Sequence, residues 1–275
     1  MFAASARSRI ATLALLRRWL LPFSIALVAL LTSAAIHLAR AQAPAVPAAG
    51  DATAPKADAT PAADPLPAPL THYQGREIAM TMHYEGAGWL TRESRDREED
   101  TRTLLGALHV KPGQSVCDLG CGNGFYTLQL AKRVGEKGTV YAVDIQPEML
   151  HLLDVRAKSV GHKNIKPVLG NRVDPALPAA QLDMVLLVDV YHELSNPAEM
   201  LHAIRASLKP DGRMVLAEFR LEDPEVPIKL LHKMSKEQIL KEILPAGFRL
   251  VEQFDDLPWQ HLMFFGPTLA AEPGR

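Results

Sequence analysis

Short apolar runs alternate with amphipathic segments along the chain between residues 115 and 265. Seven of these runs have the length and continuity of buried strands, at 115–119, 139–143, 165–169, 182–188, 213–219, 248–254 and 261–265. Four intervening segments have helical spacing with start or end signals, at 125–134, 147–159, 198–208 and 236–244. Strands separated by helices predict an α/β fold with a doubly wound, mostly parallel sheet. The last two strands are joined by a short connection, so the seventh strand is predicted to be antiparallel.

The first 41 residues have the pattern of an export signal. Arg17 and Arg18 precede an uncharged apolar stretch at 19–36, and small residues follow at Ala39 and Ala41. This order of positive, apolar and small residues is typical of a secretory signal peptide. The apolar stretch is also close to the length that spans a bilayer, so an uncleaved anchor is the alternative. We predict an exported, periplasmic protein that contacts a membrane only through such an anchor.

Alanine and proline fill 19 of the 30 positions at 41–70. Such a segment cannot bury a core, and its prolines prevent a continuous helix. A disordered linker is therefore predicted over 42–70. The folded part is predicted to begin near Thr71, with an N-terminal helical lid at 71–110 and the main domain at 111–275.

Charge is distributed unevenly along the chain. The first 41 residues hold five arginines and no acid, which leaves 25 basic against 31 acidic residues and a net charge of −6 on the remainder. This balance argues against a broad cationic face, so no nucleic-acid partner is predicted. Only two cysteines occur, Cys117 and Cys121, so no disulfide framework is expected. No metal site is predicted from the sequence.

A glycine-rich loop follows the first predicted strand. In an open parallel sheet, ligands bind beyond the carboxyl ends of the strands. Gly120, Gly122 and Gly124 permit a tight turn and a close approach of a ligand to the backbone, and a helix N-terminus faces that ligand. Asp144 ends the second strand, where a carboxylate can accept both hydroxyls of a ribose. This order of features predicts a cofactor that contains adenosine.

The details of the loop distinguish between two such cofactors. A nicotinamide dinucleotide requires the spacing G-x-G-x-x-G, but here the third glycine comes one position early and Phe125 stands in its place. Asp118 would also repel a pyrophosphate, whereas it suits a cationic amino-acid group. The segments VCDLGCGNGFYTLQLA, VYAVDIQPEML and LKPDGRMVLAEF resemble motifs of the class I S-adenosylmethionine-dependent methyltransferases. The resemblance covers about residues 100–265 and implies a Rossmann-like methyltransferase fold with S-adenosylmethionine as the cofactor.

The resemblance also assigns roles to residues of the glycine loop. It implies that Asp118 and the backbone of Gly120 and Gly122 hold the methionine part of the cofactor. Cys121 and Gly124 belong to the same loop and are included as cofactor-binding residues.

Three residues after later strands complete the implied cofactor site. Asp144 binds the ribose hydroxyls, and Ile145 packs on the adenine. Asn171 stands where the family often has an aspartate that accepts a hydrogen bond from the adenine amino group. A loop cap is the alternative role for Asn171, because an amide can both donate and accept.

The segment after the fourth strand lines the cofactor and acceptor in this family. Asp189 and Tyr191 are therefore predicted wall residues, Asp189 on the cofactor side. His192 is the predicted general base, because an imidazole that titrates near neutral pH can take the acceptor's proton. A cap on the following turn is the alternative role for this histidine.

Two further segments are predicted to reach the same edge of the sheet. The antiparallel seventh strand begins there with Trp259, a candidate wall residue on the acceptor side, and His261, the second candidate catalytic histidine. Loop packing is the alternative role for both. Segment 82–90 is rich in aromatic residues and glycine, and segment 91–102 is predicted to form a charged helix whose charges indicate a solvated face. Such segments often close over the cofactor in this superfamily. The lid candidates are His83, Tyr84, Trp89 and Arg92.

Missing motifs narrow the class of acceptor. No Asn/Asp-Pro-Pro-Tyr/Phe segment follows the fourth strand, which argues against adenine N6 methylation, and no Pro-Cys pair occurs, which argues against cytosine C5 methylation. A single domain with short connections favours a small-molecule acceptor that is methylated on oxygen, nitrogen or sulfur. The alternatives are a non-catalytic module that binds the nucleoside and, less favoured, an NAD-dependent dehydrogenase.

Cell fractionation tests the export prediction. We expect the chain in the envelope fraction, with a mature N-terminus near residue 42 if the signal is cleaved and at Met1 if it is an anchor. An intact Met1 on a purely cytoplasmic protein would contradict export. The outcome bears on the cofactor, because S-adenosylmethionine is made in the cytoplasm.

Overall fold

The computed structural model describes residues 65–268 of the chain. The predicted export signal at 1–41 and most of the predicted linker at 42–70 lie outside the described residues. Within residues 65–268, no helix is both long and apolar enough to cross a bilayer.

A mostly parallel sheet forms the centre of the fold. A short hairpin of β1 (His72–Tyr73) and β2 (Arg76–Glu77) precedes it, and the sheet strands are β3 (Ser115–Leu119), β4 (Thr139–Asp144), β5 (Ile165–Leu169), β6 (Leu182–Val188), β7 (Leu208–Arg220), β8 (Lys233–Met234), β9 (Phe248–Phe254) and β10 (Gln260–Pro267). The strand order is β5-β4-β3-β6-β7-β10-β9, and β8 pairs with the end of β7. The last strand, β10, runs antiparallel to both β7 and β9. The α/β architecture predicted from the sequence is confirmed.

The helices begin and end at the residues that favour those positions. They are α1 (Arg95–Glu99), α2 (Thr101–Ala107), α3 (Phe125–Val134), α4 (Pro147–Val160), α5 (Pro197–Ser207) and α6 (Lys236–Ile243). Proline opens α4 and α5, where its missing N–H has no intrahelical partner to lose. Ser235 caps α6, since its hydroxyl accepts a hydrogen bond from Gln238 N at 3.1 Å. Sequence patterns therefore located the helices from α3 onward to within a residue or two.

Apolar layers cover both faces of the sheet. Alternating side chains of β6 point to opposite sides, so Val185 and Leu187 pack with α5 and α6, whereas Met184 and Leu186 pack with α2 and α3. All four of these side chains are buried. Because both faces are filled, the exposed edge at the carboxyl ends of the strands is left for ligands.

The prediction of a single helix at 91–102 with solvated charges is wrong in two respects. The segment is broken at Asp100, whose φ of 43° lies in the left-handed region, and Asp100 caps α2 through a hydrogen bond from Thr103 N. Its charges are not all solvated, because Arg95 and Glu99 are buried. Arg95 Nε donates to Glu99 at 2.8 Å, so the two charges compensate each other in the interior.

Truncation tests where the folded part begins. Three hydrogen bonds tie residues 67–70 to the domain, through the carbonyls of Pro67 and Ala68 and the N–H of Leu70. Deleting residues 1–64 should leave the melting temperature unchanged. Deleting residues 1–70 should leave a soluble, cooperatively melting protein that is less stable by roughly 1–3 kcal/mol, because hydrogen bonds of this kind contribute about 1 kcal/mol each. Loss of cooperative melting after either deletion would contradict the prediction.

Candidate functional site

A cavity of about 600 Å³ opens at the carboxyl edge of the sheet. Its walls come from the ends of β3, β4 and β6, from the 3₁₀ helix Tyr84–Thr91, and from the segment 227–232. The strand ends were predicted to form a ligand site. The segment 227–232 was not, because it lies in a stretch to which the sequence assigned no element.

Two glycines of the loop bring the backbone against the cavity. Gly120 and Gly122 both line it, with φ values of 74° and 53° that favour glycine. A Cβ atom at Gly120 would lie 2.5 Å from the Val190 side chain, and one at Gly122 would lie 2.4 Å from Leu90. A larger residue at either position would displace a neighbouring side chain and strain the backbone, so glycine is favoured and the loop presents bare backbone to a ligand.

The Asp144 carboxylate closes the other side of this loop. Its Oδ2 accepts a hydrogen bond from Gly122 N and its Oδ1 accepts one from Gln146 N, both at 2.9 Å. Burial raises the pKa of Asp144, while these backbone donors oppose the rise. Asp144 and the neighbouring half-exposed Ile145 both line the cavity. Each carboxylate oxygen keeps a lone pair, which fits the predicted contact with ribose hydroxyls.

Three predicted cofactor residues do not line the cavity. Asp118 is buried and accepts a hydrogen bond from Thr127 Oγ1 at 2.6 Å. Burial raises the pKa of Asp118 to about 6. The Cys121 thiol is also buried, and Gly124 precedes α3 against Leu153. Direct contact of Asp118, Cys121 and Gly124 with a cofactor stays a prediction.

Asn171 lines the cavity and also caps its own loop. Its Oδ1 accepts hydrogen bonds from Val173 N and Asp174 N, both at 2.9 Å. The loop-cap role therefore has hydrogen bonds in the structure, whereas contact with adenine stays a prediction.

Asp189 presents a buried carboxylate to the cavity. Its Oδ2 accepts a hydrogen bond from Gln260 Nε2 at 2.8 Å, and its Oδ1 has no hydrogen-bond partner among residues 65–268. Burial, with the charges of Glu99 and Glu218, raises the pKa of Asp189 well above its usual range. An unpartnered buried oxygen is unfavourable unless a ligand supplies a donor. A cationic cofactor such as S-adenosylmethionine fits this requirement.

His192 is held by a carboxylate that the sequence analysis missed. Its Nδ1 lies 2.6 Å from Glu218 Oε2, and both side chains are buried. Burial alone would lower the pKa of His192, but the Glu218 carboxylate outweighs it and the pKa is raised. Glu218 lies inside the apolar run of β7, and an acid at such a position was the signal that would have identified it.

Two more polar residues meet the free side of the His192 ring. His192 Nε2 lies 3.1 Å from His232 Nδ1, and Glu193 Oε1 lies 3.9 Å from the first nitrogen and 4.0 Å from the second. Burial raises the pKa of Glu193 to about 7. The pairing of β8 with β7 brings His232 to this edge, which no local sequence pattern predicts.

Three predicted acceptor-side residues do not line the cavity. The Tyr191 ring is in the core, and its hydroxyl donates to Glu242 at 2.9 Å. His261 instead contacts Glu222, whose carboxylate lies 2.8 Å from its Nε2. Trp259 packs near Phe219 instead, with ring centres 6.5 Å apart.

The lid candidates divide into two pairs. Trp89 and Arg92 line the cavity, with the Arg92 guanidinium 3.8 Å from the centre of the Trp89 ring. The exposed His83 instead caps the turn at Glu85, and Tyr84 reaches the site only through its N–H, which donates to Gln146 Oε1. The Gln146 side chain also donates to the Met82 carbonyl, so it fastens this segment over the cavity edge.

Comparison with known proteins identifies the family of the chain. The family model described as a methyltransferase domain matches residues 110–260. The nocamycin O-methyltransferase of Saccharothrix syringae is 35% identical over 118 residues, which are 42% of this chain and 41% of that protein. The demethylmenaquinone methyltransferase of Lactococcus lactis is 30% identical over 133 residues, which are 48% and 51% of the two chains. The chain thus spans about half the length of the curated relatives it matches.

A solved structure resembles the fold over most of the described residues. It is a SAM-dependent methyltransferase from Aquifex aeolicus, with a TM-score of 0.64 and 25% identity, and the match covers 67% of this chain and 98% of that one. The residues matched by the family model include the glycine loop, Asp144 and the turn that carries His192. The chain therefore belongs to the methyltransferase domain family, for which S-adenosylmethionine is the implied cofactor.

Proposed function

We propose that this chain transfers a methyl group from S-adenosylmethionine to an oxygen, nitrogen or sulfur atom of a small molecule. One observation carries the proposal: Asp144 and His192 line a single cavity of about 600 Å³, and the buried Glu218 carboxylate holds the His192 ring from behind. Relatives named for nocamycin and demethylmenaquinone support a small organic acceptor.

Residues at the β3–β4 side of the cavity would hold the cofactor. The Asp144 oxygens accept hydrogen bonds from the ribose hydroxyls, and the half-exposed Ile145 covers one face of the adenine. The Asp189 carboxylate faces the cationic part, since its Oδ1 has no other partner in residues 65–268. When bound, S-adenosylmethionine supplies a methyl group on a positively charged sulfur.

Residues at the β6–β7 side would position the acceptor. The His192 ring is fixed by Glu218 on its Nδ1 side, so an acceptor would have to reach its Nε2, which lies 3.1 Å from His232 Nδ1. We propose that His192 controls the loss of the acceptor's proton. Trp89 and Arg92 cover the opening and would exclude water while the reactants are aligned, and alignment supplies most of the acceleration in a reaction of this kind.

The Asp144→Ala substitution tests the cofactor site. Removing the carboxylate should weaken S-adenosylmethionine binding by ~1.5–3 kcal/mol, roughly 10- to 150-fold, because hydrogen bonds to a charged group are lost. Asp118→Asn is the comparison. It should weaken S-adenosylmethionine binding by less than Asp144→Ala does, because Asp118 does not line the cavity. Calorimetry with S-adenosylmethionine measures both. An unchanged dissociation constant in Asp144→Ala would remove Asp144 from the cofactor site.

The His192→Asn substitution tests the acceptor side. It should lower turnover by roughly 10²–10⁴-fold with little change in cofactor affinity. Glu218→Gln should also lower turnover, because it removes the negative charge that holds the His192 ring.

His261→Asn is the matched histidine variant for this experiment, since His261 is bound to Glu222 outside the cavity. Release of labelled product from a metabolite extract measures turnover in all three variants. A large loss of turnover in His261→Asn alone would assign the catalytic role to His261 of β10. Small losses of turnover in every variant would show that alignment of the reactants is enough for the reaction. Product methylated on carbon would overturn the proposed class of acceptor atom.

A further inference from the structure

Three metal-ligating side chains meet at the acceptor end of the cavity. His192, Glu193 and His232 each line it, and their nearest ligand atoms lie within 4.8 Å of one another. We refer to these three residues as the HEH cluster. Two imidazoles and one carboxylate with open positions are a ligand set that binds transition metals.

The fold brings these residues together from two separate turns. His192 and Glu193 belong to the 3₁₀ turn Tyr191–Glu193 after β6, and His232 ends the 3₁₀ turn Leu230–His232 before β8. The parallel pairing of β8 with β7 sets the second turn beside the first. The two imidazole rings meet edge to face, with centres 5.1 Å apart.

Two of the three ligand side chains are oriented by a contact on their far side. Glu218 binds Nδ1 of His192 at 2.6 Å, which directs the Nε2 atom toward His232. The Glu193 carboxylate accepts the Met82 N–H through Oε2, which leaves Oε1 facing both rings. A carboxylate behind a ligating histidine is the usual support of a metal site, since it fixes the ring and its tautomer.

The distances are close to those that a metal ion requires. Two nitrogens 3.1 Å apart subtend an angle of roughly 95° at an ion about 2.1 Å from each of them. Glu193 Oε1, at 3.9 and 4.0 Å from the two nitrogens, would move inward by roughly half an ångström to complete a tetrahedral set. Magnesium and calcium prefer oxygen ligands, so two imidazoles with one carboxylate favour zinc or iron(II).

We propose that the HEH cluster binds one divalent transition-metal ion, which coordinates the acceptor's hydroxyl or thiol group. This rests on the proposed function, because it gives His192 its role there as a metal ligand. The ion lowers the pKa of the group that reaches it, and the proton leaves to bulk water. The acceptor class then narrows to molecules with an oxygen or sulfur atom that ligates a metal.

Titration of the full, untagged chain with Zn²⁺ or Co²⁺ alone tests the site. After removal of metal with a chelator, calorimetry should show one ion bound per chain. Glu193→Gln and His232→Ala should each lower the affinity at least tenfold, in the range found when metal-site residues are changed. His202→Asn is the control, because His202 is exposed on α5 outside the HEH cluster, and it should bind like the wild type. Thermal melts and S-adenosylmethionine affinity show that each variant is folded.

The outcomes separate this proposal from the proposed function. Metal binding that is absent, or equal in the wild type and in a Glu193→Gln/His232→Ala double variant, would overturn the metal site while leaving methyl transfer untouched. Full turnover of the chelator-treated enzyme would show that His192 acts without a metal and would also overturn the proposal. Metal binding by a chain that transfers no methyl group would sustain the site and overturn the function.

Discussion

One buried carboxylate determines the shape of the acceptor end of the cavity. Glu218 is fully buried in β7 and accepts hydrogen bonds from the N–H groups of Val190 and Tyr191, and it also binds the ring of His192. A buried carboxylate without partners is strongly unfavourable, so these three groups stabilise one another's positions. All three come from a single turn after β6. The core of the sheet therefore sets the conformation of that turn.

The same interaction explains why Asp189 can adopt an unusual backbone. Its φ of 54° is left-handed, which costs free energy for a residue with a side chain. The next two N–H groups are held by Glu218, and the Asp189 carboxylate is held by Gln260 of β10. Neighbouring strands thus stabilise the strained residue. The result is a carboxylate and an imidazole, from consecutive parts of one turn, directed into the same cavity.

The strand ends and loop of the proposed cofactor side could be located from the sequence because its parts are local. A glycine loop directly after a strand and an acid at the end of the next strand are short-range patterns, and β3, β4 and Asp144 follow them. The acceptor side could not be predicted in the same way. Glu218 reaches His192 across 26 residues of chain, and His232 reaches it across 40. Such contacts depend on strand pairing, which periodicity does not reveal.

The sequence-based choice among the histidines shows this limit. The predicted topology correctly starts β10 at the carboxyl edge of the sheet. However, His261 is bound to Glu222, which lies in the segment after β7 and had been assigned no role. The position of a residue at an edge is a property of the sheet, whereas the direction of its side chain depends on the nearest partner. A charged partner a few residues beyond a strand is therefore enough to remove a histidine from a site that its strand reaches.

The two ends of the cavity are built from different parts of the chain, and this separates the functions proposed for them. The end proposed for the cofactor uses backbone and carboxylate groups at the ends of core strands, so its shape is fixed by the sheet itself. The end proposed for the acceptor adds the segment 227–232, which carries His232, and Trp89 and Arg92 also line the cavity. These additions lie outside the parallel strands, where a change of side chain does not disturb strand pairing. Acceptor specificity can therefore vary among proteins of this fold while the cofactor end stays the same, which is why resemblance in the glycine loop identifies the cofactor but leaves the acceptor to be read from the turns around His192.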